Sequence, residues 1–190
     1  ELIGMPVLNC IAPEDRALYD GMVAQRAAQG APFSGPYLAL MNHPQLCKRV
    51  QDLGFYLKFD GHLARDVYQF VVLCVARQTG AAFEWTDHVA HAKAAGVPDA
   101  VLARLARGGA VPDPAEFPAP FALAARVLSH TLAWRNIPQD VQQPAIAAYG
   151  MQGFVEIVVL SGFYQMFSAI NQGFDVALPA GQAAPFSAAP

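Results

Sequence analysis

The residues best suited to chemistry lie together in one short segment, 79–91. Within it Glu84 and His88 are four residues apart, and His91 follows three residues later. On an α-helix these three side chains share one face. A carboxylate beside an imidazole fixes the ring tautomer and raises its basicity. The spacing therefore predicts a general acid/base pair of Glu84 and His88, with His91 beside it.

Other interpretations of the same segment stay open. Asp87 and His91 have the same spacing of four, and a carboxylate and histidine so placed also form ordinary ion pairs on helix surfaces. A metal site would use Glu84, His88 and His91. Histidines three apart do not form the HExxH pattern, and no second cluster stands nearby to complete a coordination shell. We expect no metal and no other cofactor.

The composition limits the classes of partner. Of 190 residues, 54% are hydrophobic and 14% are charged, which is apolar for a soluble monomer. We therefore expect a homo-oligomer that covers part of this surface. The net charge is -3, and the basic residues are scattered along the chain, so we expect no nucleic-acid partner.

Three cysteines, Cys10, Cys47 and Cys74, stand too far apart in sequence for a CxxC motif, and their odd number argues against a disulfide framework. We expect inert thiols in a reducing cytoplasm, and the sequence shows no secretory leader pattern. Segment 151–170 is long enough to cross a membrane. Its polar residues favour a buried helix instead, so we expect no membrane partner.

The elements that must position the site are all predicted to be helices. Apolar spacing and the placement of proline and glycine predict one all-α domain over 14–172. An extended segment, 1–13, precedes it, and an irregular tail, 173–190, packs on the domain or on a neighbouring subunit. Segment 108–120, rich in proline and glycine, is a predicted linker, and Gly150 separates the last two predicted helices. Predicted helix 45–59 presents an apolar face of Leu46, Val50, Leu53 and Leu57.

The order of several motifs resembles a known family. The run RDVYQFVVLCVA at 65–76 precedes Thr79-Gly80, the pattern Phe83-Glu84-Trp85-x-x-His88, and Gly96-Val97-Pro98. Together with segments 32–36, 42–44 and 149–164, it resembles the carboxymuconolactone decarboxylase and alkylhydroperoxidase-like family over residues 15–175. The resemblance implies an orthogonal multi-helix bundle, an oligomer, and a site on the helix that carries Glu84.

The resemblance also implies what this chain lacks. The alkylhydroperoxidase branch carries CxxCxxxH, and its two cysteine positions are here Ala81 and Glu84. A glutamate that relays protons in that branch corresponds to Gln69, which cannot ionise. Thiol-based peroxide reduction is therefore disfavoured. An antioxidant protein and a non-catalytic member stay as alternatives.

The decarboxylase branch implies acid/base chemistry without a cofactor, by decarboxylation or proton transfer on a small carboxylic acid or lactone from aromatic-compound catabolism. His88 would supply the proton and Glu84 would orient it. Substrate contacts are expected from Phe83, Trp85 and Gln69. The candidates for a cation that meets a substrate carboxylate are Arg65, Arg77 and Arg135.

Overall fold

The chain folds into helices joined by short turns. The computed structural model describes residues 11–107, 113–178, 181–183 and 185–186, and no strand occurs among them. The eight α-helices are α1 (Arg16–Ala28), α2 (Pro36–Leu40), α3 (Pro44–Phe55), α4 (Arg65–Thr79), α5 (Ala82–Ala94), α6 (Asp99–Arg107), α7 (Phe121–Thr131) and α8 (Gln139–Gly173). The described part of the protein is thus an all-α single domain, which confirms the all-α part of the predicted fold.

Three shorter turns complete the framework. Two 3-10 turns, Pro13–Asp15 and Pro114–Glu116, precede α1 and α7, and a π-helical turn, Tyr56–Asp60, follows α3. Most of the predicted extended segment, part of the predicted linker and part of the predicted tail lie outside the described residues. The described residues after Phe174 contain no helix, and Phe186 packs against the ring of Trp85 in the same chain.

Helix α4 forms the centre of the fold. Its residues from Val67 to Ala76 are all buried, and the helix packs against α5, α7 and α8. A helix buried on every side needs apolar residues nearly all round, which explains the unbroken apolar run at 70–76. Helix α4 therefore supplies a rigid support for side chains that reach the site from its surface.

The last helix bends at Gly150. This residue has φ 73° and ψ 167°, a left-handed conformation that glycine adopts without the steric cost of a Cβ atom. The bend separates segment 139–149 from segment 151–173, as the sequence predicted. Segment 151–173 contacts α4 through Tyr164 and Ser168 and carries buried polar residues toward the site.

Helix α3 buries a different face from the predicted one. Val50 and Leu57 are buried, but Leu46 and Leu53 are 44% and 42% exposed, so that part of the prediction was wrong. The buried face instead includes Cys47, Gln51 and Gly54. The phenyl ring of Phe163 on α8 lies so close to Gly54 that a Cβ atom there would be 3.0 Å from it, so α3 and α8 pack tightly at this position.

Helix α8 is also the only described helix that is long and apolar enough to cross a membrane by length and composition. Half of its most apolar window is buried inside the protein. Glu156 on the same helix is 6% exposed and accepts hydrogen bonds from the backbone N–H groups of His62 and Leu63 at 2.8 and 3.1 Å. These contacts tie α8 to the turn before α4.

Candidate active site

A cavity of about 290 Å³ lies between α1, α2, the end of α3, α5 and α8. Its volume is at the lower end of the range for small-molecule sites. Helix α5 contributes a row of polar side chains to one wall, and aromatic rings from several elements form much of the rest. The lining from α5 and α8 consists of Phe83, Glu84, Asp87, His88, His91, Phe163, Tyr164 and Phe167.

Glu84 and His88 lie side by side on the wall of this cavity. Their helical spacing turns both side chains inward, and they are only 3% and 4% exposed. Glu84 Oε2 is 3.7 Å from His88 Nε2, which is longer than a hydrogen bond. The two groups are therefore neighbours that face the same space, each with its own hydrogen-bond partner.

The partner of His88 is Gln69 of α4. Nδ1 of His88 lies 2.8 Å from Oε1 of Gln69, whose side chain is 1% exposed. A carbonyl oxygen only accepts, so Nδ1 carries the proton and donates it. The remaining ring nitrogen, Nε2, then has a free lone pair. Gln69 does not line the cavity; it lies behind His88 and fixes its tautomer.

Two tyrosines continue this chain of hydrogen bonds. The Tyr164 hydroxyl is 3.2 Å from His88 Nε2, and the Tyr68 hydroxyl is 2.8 Å from that of Tyr164. Because Nε2 accepts, Tyr164 donates to His88, and Tyr68 donates to Tyr164. Burial raises the pKa of both phenols, so both stay protonated. Both tyrosines line the cavity.

Burial also changes the ionisation of the two central groups. Burial raises the pKa of Glu84 from 4.5 to about 7, and nearby Asp87 adds to this effect. Asn171 of α8 acts in the other direction, because its Nδ2 donates to Glu84 Oε1 at 2.7 Å. The pKa of His88 is well below its usual 6.5, chiefly through burial and also through Lys58. Near neutral pH, Glu84 exchanges a proton readily while His88 is uncharged.

Of the other residues predicted for the site, some line the cavity and some do not. Phe83 and His91 line the cavity, and the His91 ring centroid is 6.0 Å from that of His88. Trp85 is buried but does not line the cavity; its ring packs against Phe186 at 5.5 Å. Asp87 approaches His88 Nε2 at 3.7 Å and makes no described contact with His91.

The cations at the cavity are not the predicted ones. Arg26 and Lys58 line it, whereas Arg65, Arg77 and Arg135 do not. Arg77 lies over the ring of Phe186, 4.6 Å from its centroid, and Arg135 borders a separate groove beside α8. No spacing in the sequence indicated Arg26 or Lys58, because both reach the cavity from other parts of the chain.

The described cysteines lie away from this chemistry. Cys47 and Cys74 are free, buried and absent from the cavity wall. Burial raises the pKa of Cys47 to about 12 and that of Cys74 further still, so neither forms a thiolate readily. Cys10 lies outside the described residues. Among the residues that the structure describes, no three potential ligands are grouped to hold a metal ion.

Comparisons with models of protein families, with curated proteins and with solved structures found no match to this chain.

Proposed function

We propose that this protein is a cofactor-free enzyme of the carboxymuconolactone decarboxylase-like kind. It would use Glu84 and His88 for decarboxylation or proton transfer on a small carboxylic acid or lactone. The observation that carries the proposal is the burial of this carboxylate and this imidazole on one wall of a small cavity. Buried groups with displaced pKa values in a cavity are typical of acid/base sites.

The geometry supports Glu84, rather than His88, as the group that carries the transferred proton. Nε2 of neutral His88 accepts a hydrogen bond and has no proton to give. Glu84, with a pKa of about 7, holds or releases a proton near neutral pH. This assignment gives Glu84 the proton-transfer role that the sequence suggested for His88. Asn171 orients the Glu84 carboxylate through its 2.7 Å hydrogen bond.

In a proton transfer, the Glu84 carboxylate takes a proton from a carbon next to a carbonyl. The electron pair of the broken C–H bond moves toward the carbonyl oxygen and forms an enolate. Protonated Glu84 then returns the proton to another carbon of the same conjugated system. In a decarboxylation, the C–C bond to the carboxylate breaks instead, carbon dioxide leaves, and protonated Glu84 protonates the carbon. Both phenol hydroxyls on the cavity wall already donate, Tyr164 to His88 and Tyr68 to Tyr164, so either one must leave that partner to donate to the enolate oxygen.

The test is a panel of β-keto acids and unsaturated lactones incubated in D2O. Proton NMR measures deuterium incorporation, and trapped carbonate measures decarboxylation. We expect Glu84→Gln to abolish turnover, while Lys93→Gln, an exposed change on the same helix, leaves it intact. Turnover that persists in Glu84→Gln, or its absence with every compound in the panel, would contradict the proposal.

The antioxidant alternative is disfavoured by the burial of Cys47 and Cys74 and by their raised pKa values. Hydroperoxide turnover with dithiothreitol, compared between the wild type and a variant with all three cysteines changed to serine, separates the two functions. Turnover that depends on cysteine would favour the antioxidant protein. A non-catalytic member would bind small molecules but turn over none of them.

We also propose that the protein has the family's orthogonal helix bundle and that it forms a homo-oligomer. The subunits would meet through an apolar face of α3, the turn after it, and α8. The large hydrophobic residues Leu53, Tyr56, Met151, Val155 and Val159 are exposed there and line one shallow groove or its edges. Exposed apolar surface of this kind favours a second copy of the same chain. Light scattering should give a mass above 20.3 kDa. Val155→Asp should lower that mass, and Ala103→Asp, at an exposed position on α6, should not.

A further inference from the structure

Two cations face the cavity without a carboxylate partner. Arg26 comes from α1 and Lys58 from the π-helical turn after α3, and both line the cavity that holds Glu84. No ion pair among the described residues includes either one. A partly buried cation without a counter-ion has lost some hydration and has gained no ion pair in exchange.

Neutral groups hold the guanidinium of Arg26 in place. Its Nε donates to the carbonyl oxygen of Pro32 at 2.7 Å, and its Cζ lies 4.1 Å from the centroid of the Tyr37 ring. Burial raises the pKa of Tyr37 to about 12, so this phenol is uncharged. The guanidinium is therefore positioned, but its charge stays available to an anion in the cavity.

The pKa of Lys58 reflects burial and the neighbouring charges. Burial lowers the pKa of its ammonium group, and the charges of Arg65 and Arg26 lower it further. Asp87 and Glu84 act in the opposite direction. Asp87 is the only described carboxylate on the cavity wall besides Glu84, and its side chain is 46% exposed. It forms no ion pair within 4 Å with either cation.

We propose that Arg26 and Lys58 form a subsite for a carboxylate of the substrate and that this carboxylate is retained during the reaction. The second part depends on the proposed function, and the first does not. The phenyl rings of Phe83, Phe163 and Phe167 on the cavity wall would then enclose the carbon skeleton. The ligand class is a small organic acid with an apolar or aromatic body.

The charge of the subsite explains why the carboxylate is retained. Loss of carbon dioxide requires negative charge to leave the carboxylate in the transition state. Two cations beside that group stabilise the ground state more than the transition state, which slows decarboxylation. The same cations do not oppose removal of a proton from a carbon farther along the molecule, beside Glu84. The subsite therefore favours proton transfer over decarboxylation of the carboxylate that it holds.

Calorimetric titration with benzoate and benzamide tests the subsite. The two probes have nearly the same shape, and only benzoate is charged. We expect the wild type to bind benzoate about tenfold or more tightly than benzamide, since charge-assisted hydrogen bonds are stronger than neutral ones. Arg26→Gln and Lys58→Gln should each reduce this preference, and Lys93→Gln should preserve it.

Each outcome of the titration decides the assignment. Equal binding of the two probes, no binding of either, or a preference unchanged in both cavity variants would overturn the subsite. Displacement of benzoate by inorganic phosphate at a similar concentration would overturn its assignment to carboxylates. Because none of these measurements depends on turnover, the subsite is tested whether or not Glu84 is catalytic.

Acetoacetate, which has a single carboxylate, tests whether the bound carboxylate is retained during the reaction. With wild-type protein in D2O we expect faster deuterium exchange at the carbon between its two carbonyl groups, with carbon dioxide release at the rate in buffer alone. Faster release of carbon dioxide would overturn retention of the carboxylate, and so would the absence of any protein effect on exchange. If the protein accelerates neither exchange nor release while benzoate binding still depends on Arg26 and Lys58, the proposed reaction has failed and the subsite has not.

Discussion

Nδ1 of His88 lies 2.8 Å from Oε1 of Gln69, and this contact decides which ring nitrogen faces the cavity. The two residues are on adjacent helices and are both almost fully buried. With the amide oxygen as acceptor, the proton stays on Nδ1, and Nε2 presents its lone pair to Tyr164. The polarity of the whole hydrogen-bonded chain follows from this one contact.

Replacing Gln69 with leucine should leave the His88 Nδ1–H group buried without an acceptor. We expect a loss of about 1–3 kcal/mol in the free energy of unfolding, measured by urea denaturation. Nitrogen-15 NMR should show one tautomer of His88, protonated on Nδ1, in the wild type and a mixture in the variant. Gln78→Leu, at an exposed position on the same helix, is the matched control. A wild-type histidine protonated on Nε2 would contradict the assignment.

Replacing Glu84 with glutamine should alter how stability depends on pH. Because burial raises the pKa of Glu84 from 4.5 to about 7, the folded state binds this proton more tightly than the unfolded state. The resulting stabilisation is complete below pH 4.5 and is lost as the pH rises through 7. The gain in stability of Glu84→Gln over wild type should therefore grow between pH 5 and pH 8, by up to about 3 kcal/mol.

Thermal unfolding at these two pH values measures this change. Comparison with the wild type removes the contribution of His88, whose lowered pKa destabilises the folded state in acid in both proteins. Glu14→Gln, at an exposed residue, is the control. A difference that is constant with pH would show that Glu84 has an ordinary pKa.

The two tyrosines should contribute unequally to stability. Tyr164→Phe removes both hydrogen bonds of the hydroxyl that lies between Tyr68 and His88. Tyr68→Phe removes one and leaves Tyr164 able to donate to His88. We expect losses of about 2 and about 1 kcal/mol in the free energy of unfolding, respectively. Equal losses in guanidinium denaturation would mean that the hydrogen bond between Tyr164 and His88 contributes nothing.

Gly35 should resist substitution because of Phe83. Its φ is 60°, and a Cβ atom there would lie 2.2 Å from a ring carbon of Phe83 in the cavity wall. Gly35→Ala should cost about 1–2 kcal/mol for the backbone and more for the collision. Adding Phe83→Ala to Gly35→Ala should restore the share of the unfolding free energy that is lost through the collision with the ring. A double-mutant cycle of unfolding free energies measures this recovery. Strict additivity would argue against the contact.

Local sequence was sufficient for the helices and for the placement of Glu84 beside His88. Apolar spacing and the placement of glycine and proline predicted an all-α domain and the break at Gly150. A spacing of four residues placed Glu84 and His88 on one face of α5, because the helical repeat brings such positions together. Periodicity did not reveal which apolar face of α3 is buried. Packing against neighbouring helices exposes Leu46 and Leu53.

The tertiary structure alone decided what surrounds the pair. Gln69 and Tyr164 are 19 and 76 residues from His88, and Asn171 is 87 residues from Glu84. Arg26 and Lys58 reach the same cavity from two further elements. Spacing within a helix fixes which side chains share a face, because the helical repeat is local. Contacts between helices depend on how their surfaces pack and on which polar groups that packing removes from water, and no single segment encodes either.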